Sequence, residues 1–274
     1  MQTRQAKIDH GNAFDWGKTS AQYAQFRDIY PPVFYEQLLA RFPEQQGKQI
    51  LDIGTGTGVL PRHLYSYGGH WMGIDASAPQ IEQAKRLSEG MPISYAVMEA
   101  EQLQIPEASL DAITACQCFW YFQHTTCAAE FARVLKPGGR VFLLCMEWLP
   151  FEDPIAQASE TLVLQYSPNW TGAGETMHPI AVPDCYLEQF DVVDTLAYRL
   201  PVHFTRLGWH GRMRTCRGVG ASLDAASLAA WDAEHWALLC RIAPEEFDIQ
   251  HYAALHSALC CIDRTEKEVG TCLA

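Results

Sequence analysis

Three glycines alternate with threonines in the stretch QILDIGTGTGV, just after an apolar run that contains Asp52. Gly54, Gly56 and Gly58 lack a Cβ, so the backbone there can turn tightly and approach a ligand closely. Two known loop chemistries fail on spacing. The dinucleotide fingerprint G-x-G-x-x-G needs a third glycine at position 59, which is Val59. The phosphate cradle G-x-x-x-x-G-K-[ST] would have to end at Gly17-Lys18-Thr19, where the leading position is Asn12 and no strand precedes it. An acid does follow at a useful interval. Asp75 lies 21 residues after Gly54, about where parallel-sheet nucleotide sites place a carboxylate for ribose hydroxyls. A carboxylate suits that role because it accepts from both hydroxyls.

A second group of chemically capable residues lies at 199–218, RLPVHFTRLGWHGRMRTCRG, with five arginines and two histidines in a chain of net charge −12. One or two of these arginines would suit a small acceptor bearing a carboxylate or another anion. The competing account is that they pair with the surplus Asp and Glu. His178, His210 and Tyr121 are candidates for acid–base work. The ten cysteines show no C-x₂-C pair, the nearest approaches being Cys116-x-Cys118 and Cys260-Cys261, so no metal site is expected.

These residues need a frame. QILDI, HWMGID, ISYAVM, LDAITA and RVFLLCM read as short buried strands. Between them VLPRHLYSY, SAPQIEQAKRLSEG and TTCAAEFARVL read as helices, the second with a Ser77/Gln80 capping box and the third stopping at the turn KPGG. Strands alternating with helices at this spacing predict a doubly wound, mostly parallel α/β sheet with helices on both faces. PPVFYEQLLARF predicts an earlier helix behind a polar lead-in at 1–20. After Trp148 the pattern breaks: residues 150–185 hold five prolines and no sustained period, and read as an inserted lid. FDVVDTLAYRL and FDIQHYAALHSALCC then read as strands around the helix DAASLAAWDAEHWALLCRIA, ahead of a polar tail at 263–274.

With the strands in place, LDIGTGTG resembles the first motif of the class I S-adenosylmethionine (SAM)-dependent methyltransferases. GIDAS, the acid and alanine of MEAEQLQIPEASLDAITA, and RVLKPGGRVFLL follow in that family's order. The likeness covers residues 23–146 and is greatest to the small-molecule, type 11 branch, including YAQFRDIYP. It implies a Rossmann-like fold with a seven-stranded sheet, and SAM as cofactor with S-adenosylhomocysteine (SAH) as product. It also implies that Asp75 meets the ribose, while Glu99 and the Ala100 N–H meet the adenine. Asp52, Thr55, Ala76, Gln80 and Glu101 fall on the same motifs. Cys116 and Gln117, from ACQCFWYF, would line the methionine moiety. Tyr23, Arg27 and Tyr30 would lie near the methionine end, with Arg27 a partner for its carboxylate and Tyr30 next to the acceptor. Trp120, Tyr121, Trp148, His178, Trp209, His210 and Arg212 complete the expected acceptor wall.

The resemblance implies direct displacement on an activated methyl group, which needs a nucleophile held in line and water excluded. The acidic balance and the absence of an Asn/Asp-Pro-Pro-Tyr type motif after the fourth strand argue against a nucleic-acid substrate. No apolar run reaches membrane-spanning length and no signal peptide is read at the N-terminus, so a cytoplasmic protein acting on a small molecule, as monomer or homodimer, is expected. The division expected is a closing N-terminal segment (1–45), a cofactor-binding core (46–149), a lid (150–185) and a remainder (186–262) that completes the sheet and caps the substrate. The alternative is a SAM- or SAH-binding sensor without turnover.

Overall fold

The structure is a computed structural model in which residues 5–261 are described. Among these residues the strands are β1 (Gln49–Ile53), β2 (His70–Asp75), β3 (Ser94–Val97), β4 (Leu110–Cys116), β5 (Leu135–Trp148), β6 (Phe190–Thr205) and β7 (Glu246–Cys260). The helices are α1 (Ser20–Phe26), α2 (Pro32–Arg41), α3 (Val59–Leu64), α4 (Ala78–Leu87), α5 (His124–Val134), α6 (Pro154–Tyr166), α7 (Asp184–Leu187), α8 (Arg206–Arg214) and α9 (Ala225–Ile242). The strands form one seven-stranded sheet in the order β3-β2-β1-β4-β5-β7-β6. All pairs from β3 to β5 are parallel, and β7 runs antiparallel to both of its neighbours. The expected Rossmann-like sheet is the one observed.

The reason lies in how the apolar residues alternate. Ile50, Phe142, Leu144 and Met146 bury one face of the sheet against α2, α3, α6, α8 and α9. Leu51, Ile53, Val141 and Leu143 bury the other against α5 and α7. A strand covered on both sides must be apolar at successive positions, which is why QILDI and RVFLLCM read as continuous runs.

Four local expectations need correction. Ser77 stands at the N-cap of α4, but its hydroxyl makes no cap bond. The Asp75 carboxylate takes the Ser77 N–H instead, at 2.8 Å. KPGG is no simple turn: β5 begins at Leu135 and carries these residues as a bulge, since Leu110 pairs with Leu135 and Ala112 with Arg140. The stretch 150–185 is not irregular throughout. Asp153 accepts from the Ile155 and Ala156 N–H groups and starts α6, whose packing against the core overrides the weak periodicity. The lead-in is not a solvated polar tail either, because Ile8 and Phe14 are buried in a small cluster with Ala221. The expected tail at 263–274 lies outside the described residues.

Candidate active site

The strand order turns back between β1 and β4, and ligands of open α/β sheets sit at the carboxyl ends of strands at such a point. There Gly54, Gly56 and Gly58 all have positive φ, at 63°, 55° and 75°. A Cβ on Gly58 would run into the Tyr95 ring, so bareness at this position serves packing. A Cβ on Gly56 would meet only a Tyr23 ring carbon, at 3.7 Å, so bareness here leaves open space beside the loop. Asp75 holds the turn from the next strand, its carboxylate accepting from the Gly56 N–H at 3.0 Å and the Ser77 N–H at 2.8 Å. Burial raises its pKa, and these two N–H groups counter the rise. Each oxygen retains accepting capacity.

A cavity of about 950 Å³ opens from this loop, at the upper end of the roughly 300–1,000 Å³ range of small-ligand sites. Tyr23, Arg27, Gly54, Gly56, Asp75 and Ala76 line its first part, with Gln80, Glu99, Ala100, Glu101, Cys116 and Gln117 beside them. Gln80 and Gln117 each present a buried side-chain carbonyl with no hydrogen-bond partner among the described residues. Gln117 also sits at φ 60°, a left-handed conformation costly for a non-glycine residue. Open space at Gly56, unsatisfied acceptors and two acids fit an adenosyl group carrying an amine. The Arg27 Nε and one terminal nitrogen are taken by the Thr215 hydroxyl and carbonyl at 2.9 and 3.0 Å, which leaves the other terminal nitrogen for a ligand.

Trp120, Tyr121, Trp148, His178 and Arg212 line the far part of the same cavity. The arginine-rich segment divides cleanly. Arg199 pairs with Glu152, Arg206 with Glu245, Arg214 with Asp232 and Arg217 with Asp9. These four behave as the surplus-acid account expects. Arg212 differs: it is 2% exposed and makes no ion pair among the described residues. Its guanidinium lies 4.7 Å from the centre of the Trp148 ring, reaches the Cys216 sulfur at 3.4 Å and leaves Nε unpartnered.

Other expectations are not met by position. Asp52 is buried beneath the loop, where it accepts from the Thr114 hydroxyl at 2.7 Å and burial pushes its pKa up to about 7. Thr55 and Gly58 likewise lie outside the cavity lining, in the packed base of the loop. Tyr30 stacks on Phe34 at 4.4 Å and does not border the cavity. Trp209 is fully buried, donating to the Ser159 hydroxyl at 2.9 Å. His210 packs away from the cavity against His235, with 2.9 Å between their Nδ1 atoms, which removes it as an acid–base candidate.

Sequence reasoning missed Phe14, Trp16, Glu147, Glu175, Arg217 and Tyr252, all on the cavity wall. Glu147 and Tyr252 are directly opposed on β5 and β7, a pairing that no motif announces. The Tyr252 hydroxyl donates to Glu175 at 2.6 Å, and Glu175 faces His178 Nε2 at 2.7 Å. Contact with the Pro179 carbonyl, and then with Glu175, holds the His178 pKa above its ordinary value. Arg217 ties the N-terminal segment down through Asp9, at 2.7 and 3.1 Å, and donates to the Tyr121 hydroxyl at 2.7 Å. Alternating charged residues around a loop could have pointed to Arg217, but nothing local marks Glu147.

The fold, the glycine loop, Asp75 at the end of β2 and Glu99 after β3 together make a concave site of the kind in which open α/β sheets bind nucleotide-type ligands. Residues 51–143 match the family described as a methyltransferase domain. An uncharacterised methyltransferase of Mycobacterium tuberculosis is 29% identical over 133 residues, 48% of this chain and 52% of that protein. A ubiquinone biosynthesis O-methyltransferase of Dechloromonas aromatica is 29% identical over 177 residues, 61% and 74% of the two chains. The chain spans about half the length of the first of these relatives. Among solved structures, the YcgJ protein of Bacillus subtilis shares the fold with a TM-score of 0.51 at 20% identity, over 82% of this chain and 97% of that one. The BH2331 protein of Bacillus halodurans does so with a TM-score of 0.52 at 15% identity and the same coverage.

Proposed function

We propose that this chain moves the SAM methyl group to a small-molecule acceptor whose anionic group rests on Arg212. The observation that carries the reading is a single cavity joining the glycine loop to a buried, unpaired guanidinium. The Glu147 carboxylate acts on Arg212 across the cavity but makes no ion pair with it, so a ligand anion would add the close partner that the buried guanidinium lacks. Arg212 also has a planar fork suited to a carboxylate or phosphate.

In this reading Asp75 takes the ribose hydroxyls, Glu99 and the Ala100 N–H take the adenine, and Gln117 and Arg27 take the methionine end. The N-terminal segment and residues 150–185 close over the two ligands, held in part by the Asp9–Arg217 pair. Space beyond the cofactor end supports turnover rather than sensing, because a sensor needs no second compartment. Cys116, Cys118, Cys127, Cys145, Cys185, Cys216 and Cys240 are free thiols, which supports a reducing, cytoplasmic setting. No helix among the described residues is long and apolar enough to cross a membrane.

The test is transfer of label from methyl-labelled SAM into a low-molecular-mass metabolite extract, followed by anion exchange of the products. Labelled, anionic small molecules are expected. Binding of SAH by calorimetry with no labelled product would favour the sensor, and labelled neutral products would remove the role of Arg212.

A further inference from the structure

We infer that Glu147 is the general base of the reaction, and that the acceptor atom is therefore a hydroxyl oxygen or a protonated amine nitrogen rather than a thioether or an already neutral amine. This rests on the methyl-transfer reading.

The buried and half-buried acids around the site differ in how they are used. Glu175 is occupied by Tyr252 and His178, and Glu160 accepts from the Trp148 indole and the Gly174 N–H. Asp9 is held by Arg217 and Thr171. Glu147 borders the same cavity and has no hydrogen-bond partner or ion pair among the described residues. The pleat of β5 places it on the side of Val141, Leu143 and Cys145, opposite Tyr252 across the β5–β7 ladder. A half-buried carboxylate on the cavity wall that no described side chain or N–H group holds is suited to receiving a proton from a ligand.

Its surroundings poise it for that task. Burial pushes its pKa up to about 7; Arg212, Arg27 and Arg217 pull it down, while Glu175 pushes it up. The weakly acidic neighbours Cys116, Cys145, Tyr121 and Tyr252 all have raised pKa values, chiefly by burial, and stay neutral in the working range. Glu147 can therefore change its protonation around neutrality without breaking a hydrogen bond or ion pair to the described residues, and unlike Glu99 it stands beside Trp148 and opposite Tyr252, at the acceptor end of the cavity.

The step balances. The acceptor atom forms a bond to the methyl carbon as the carbon–sulfur bond breaks, and that electron pair goes to sulfur. The acceptor's O–H or N–H proton passes to the Glu147 carboxylate, and solvent removes it after release. An ammonium acceptor gives up its proton before attack, whereas a hydroxyl gives it up during attack.

The experiment uses the full chain, methyl-labelled SAM and the metabolite extract as acceptor pool, with rates measured from pH 5.5 to 9. For the wild-type protein the rate should rise through about pH 7 and then level. Glu147→Gln should lower it at least ~100-fold and abolish that limb, with SAH affinity within twofold of wild type. Glu147→Asp, which keeps the acid one methylene back, should recover part of the rate and the limb. If Glu147→Gln keeps the wild-type rate and pH limb, Glu147 is not the base. If the wild-type protein binds SAH but labels nothing, the methyl-transfer reading falls, and this one with it.

Discussion

The two ends of the cavity are built by different means. At the proposed cofactor end a ligand would meet mainly backbone and small residues, the glycine loop with Ala76 and Ala100, beside Asp75 at the end of β2 and Glu99 just after β3. At the acceptor end it is offered side chains from β5, β7, α8 and the loop before α7, several of them charged and incompletely satisfied. A ligand common to a large family can be met by a short, local motif. A ligand particular to one chain is met by residues brought together from 100 positions apart, and these are held by a tertiary network such as Asp9–Arg217–Tyr121.

The comparison breaks most visibly at the loop. Gly56→Val adds bulk to the open space beside Tyr23 and forces a β-branched residue to φ 55°, a strain of roughly 1–2 kcal/mol or more. SAH binding by calorimetry should vanish, and ordinary affinity would sink the loop assignment. Asp75→Ala comes next. It removes an acceptor from Gly56 and Ser77 as well as the proposed ribose contact, and should weaken SAH binding by at least ~1.5 kcal/mol. An unchanged affinity would refute the ribose role.

At the other end the effects should separate from cofactor binding. Arg212→Met should raise the extract concentration needed for half-maximal labelling about tenfold or more, roughly 1.4 kcal/mol, with SAH affinity unchanged. Thermal stability should hold or improve, since an unpaired buried charge gives way to an apolar side chain. A large loss of stability instead would mean that Arg212 is structural.

Glu147 adds a pH signature to the same contrast. Its folded pKa of about 7 lies above the ordinary 4.5. Below 4.5 both states are protonated and no penalty exists. Between 4.5 and 7 the unfolded chain ionises first, so stability drains away as pH rises and the full cost applies above 7. Glu147→Gln should therefore melt higher than wild type at pH 8, by at most on the order of 3 kcal/mol, and the same as wild type at pH 4. Equal melting at both pH values would show that the surroundings do not raise the pKa of this carboxyl. The smallest functional effect is expected outside the cavity. Ser159→Ala strands the Trp209 indole N–H and should cost about 1–3 kcal/mol in melting experiments, with no change in SAH binding.

Much of the fold was readable because each strand is sheathed on both faces and each helix carries a local stripe. QILDI and TTCAAEFARVL state their structure within a dozen residues. α6 was not readable, since its apolar residues meet both the sheet and α9 and leave no single stripe. The capping box at Ser77 was a misreading of the same kind: Asp75, two residues earlier, competes for the Ser77 N–H and wins.

By itself, then, the sequence determined the doubly wound sheet, the glycine loop and the acids that face it, because all of these follow from backbone geometry and neighbours close in the chain. Only the tertiary structure decided which of five arginines goes unpaired, that His210 and Trp209 belong to the core, and that Glu147 stands free in the cavity. Charge pairing and burial depend on partners that the fold supplies from afar, and no local pattern encodes them.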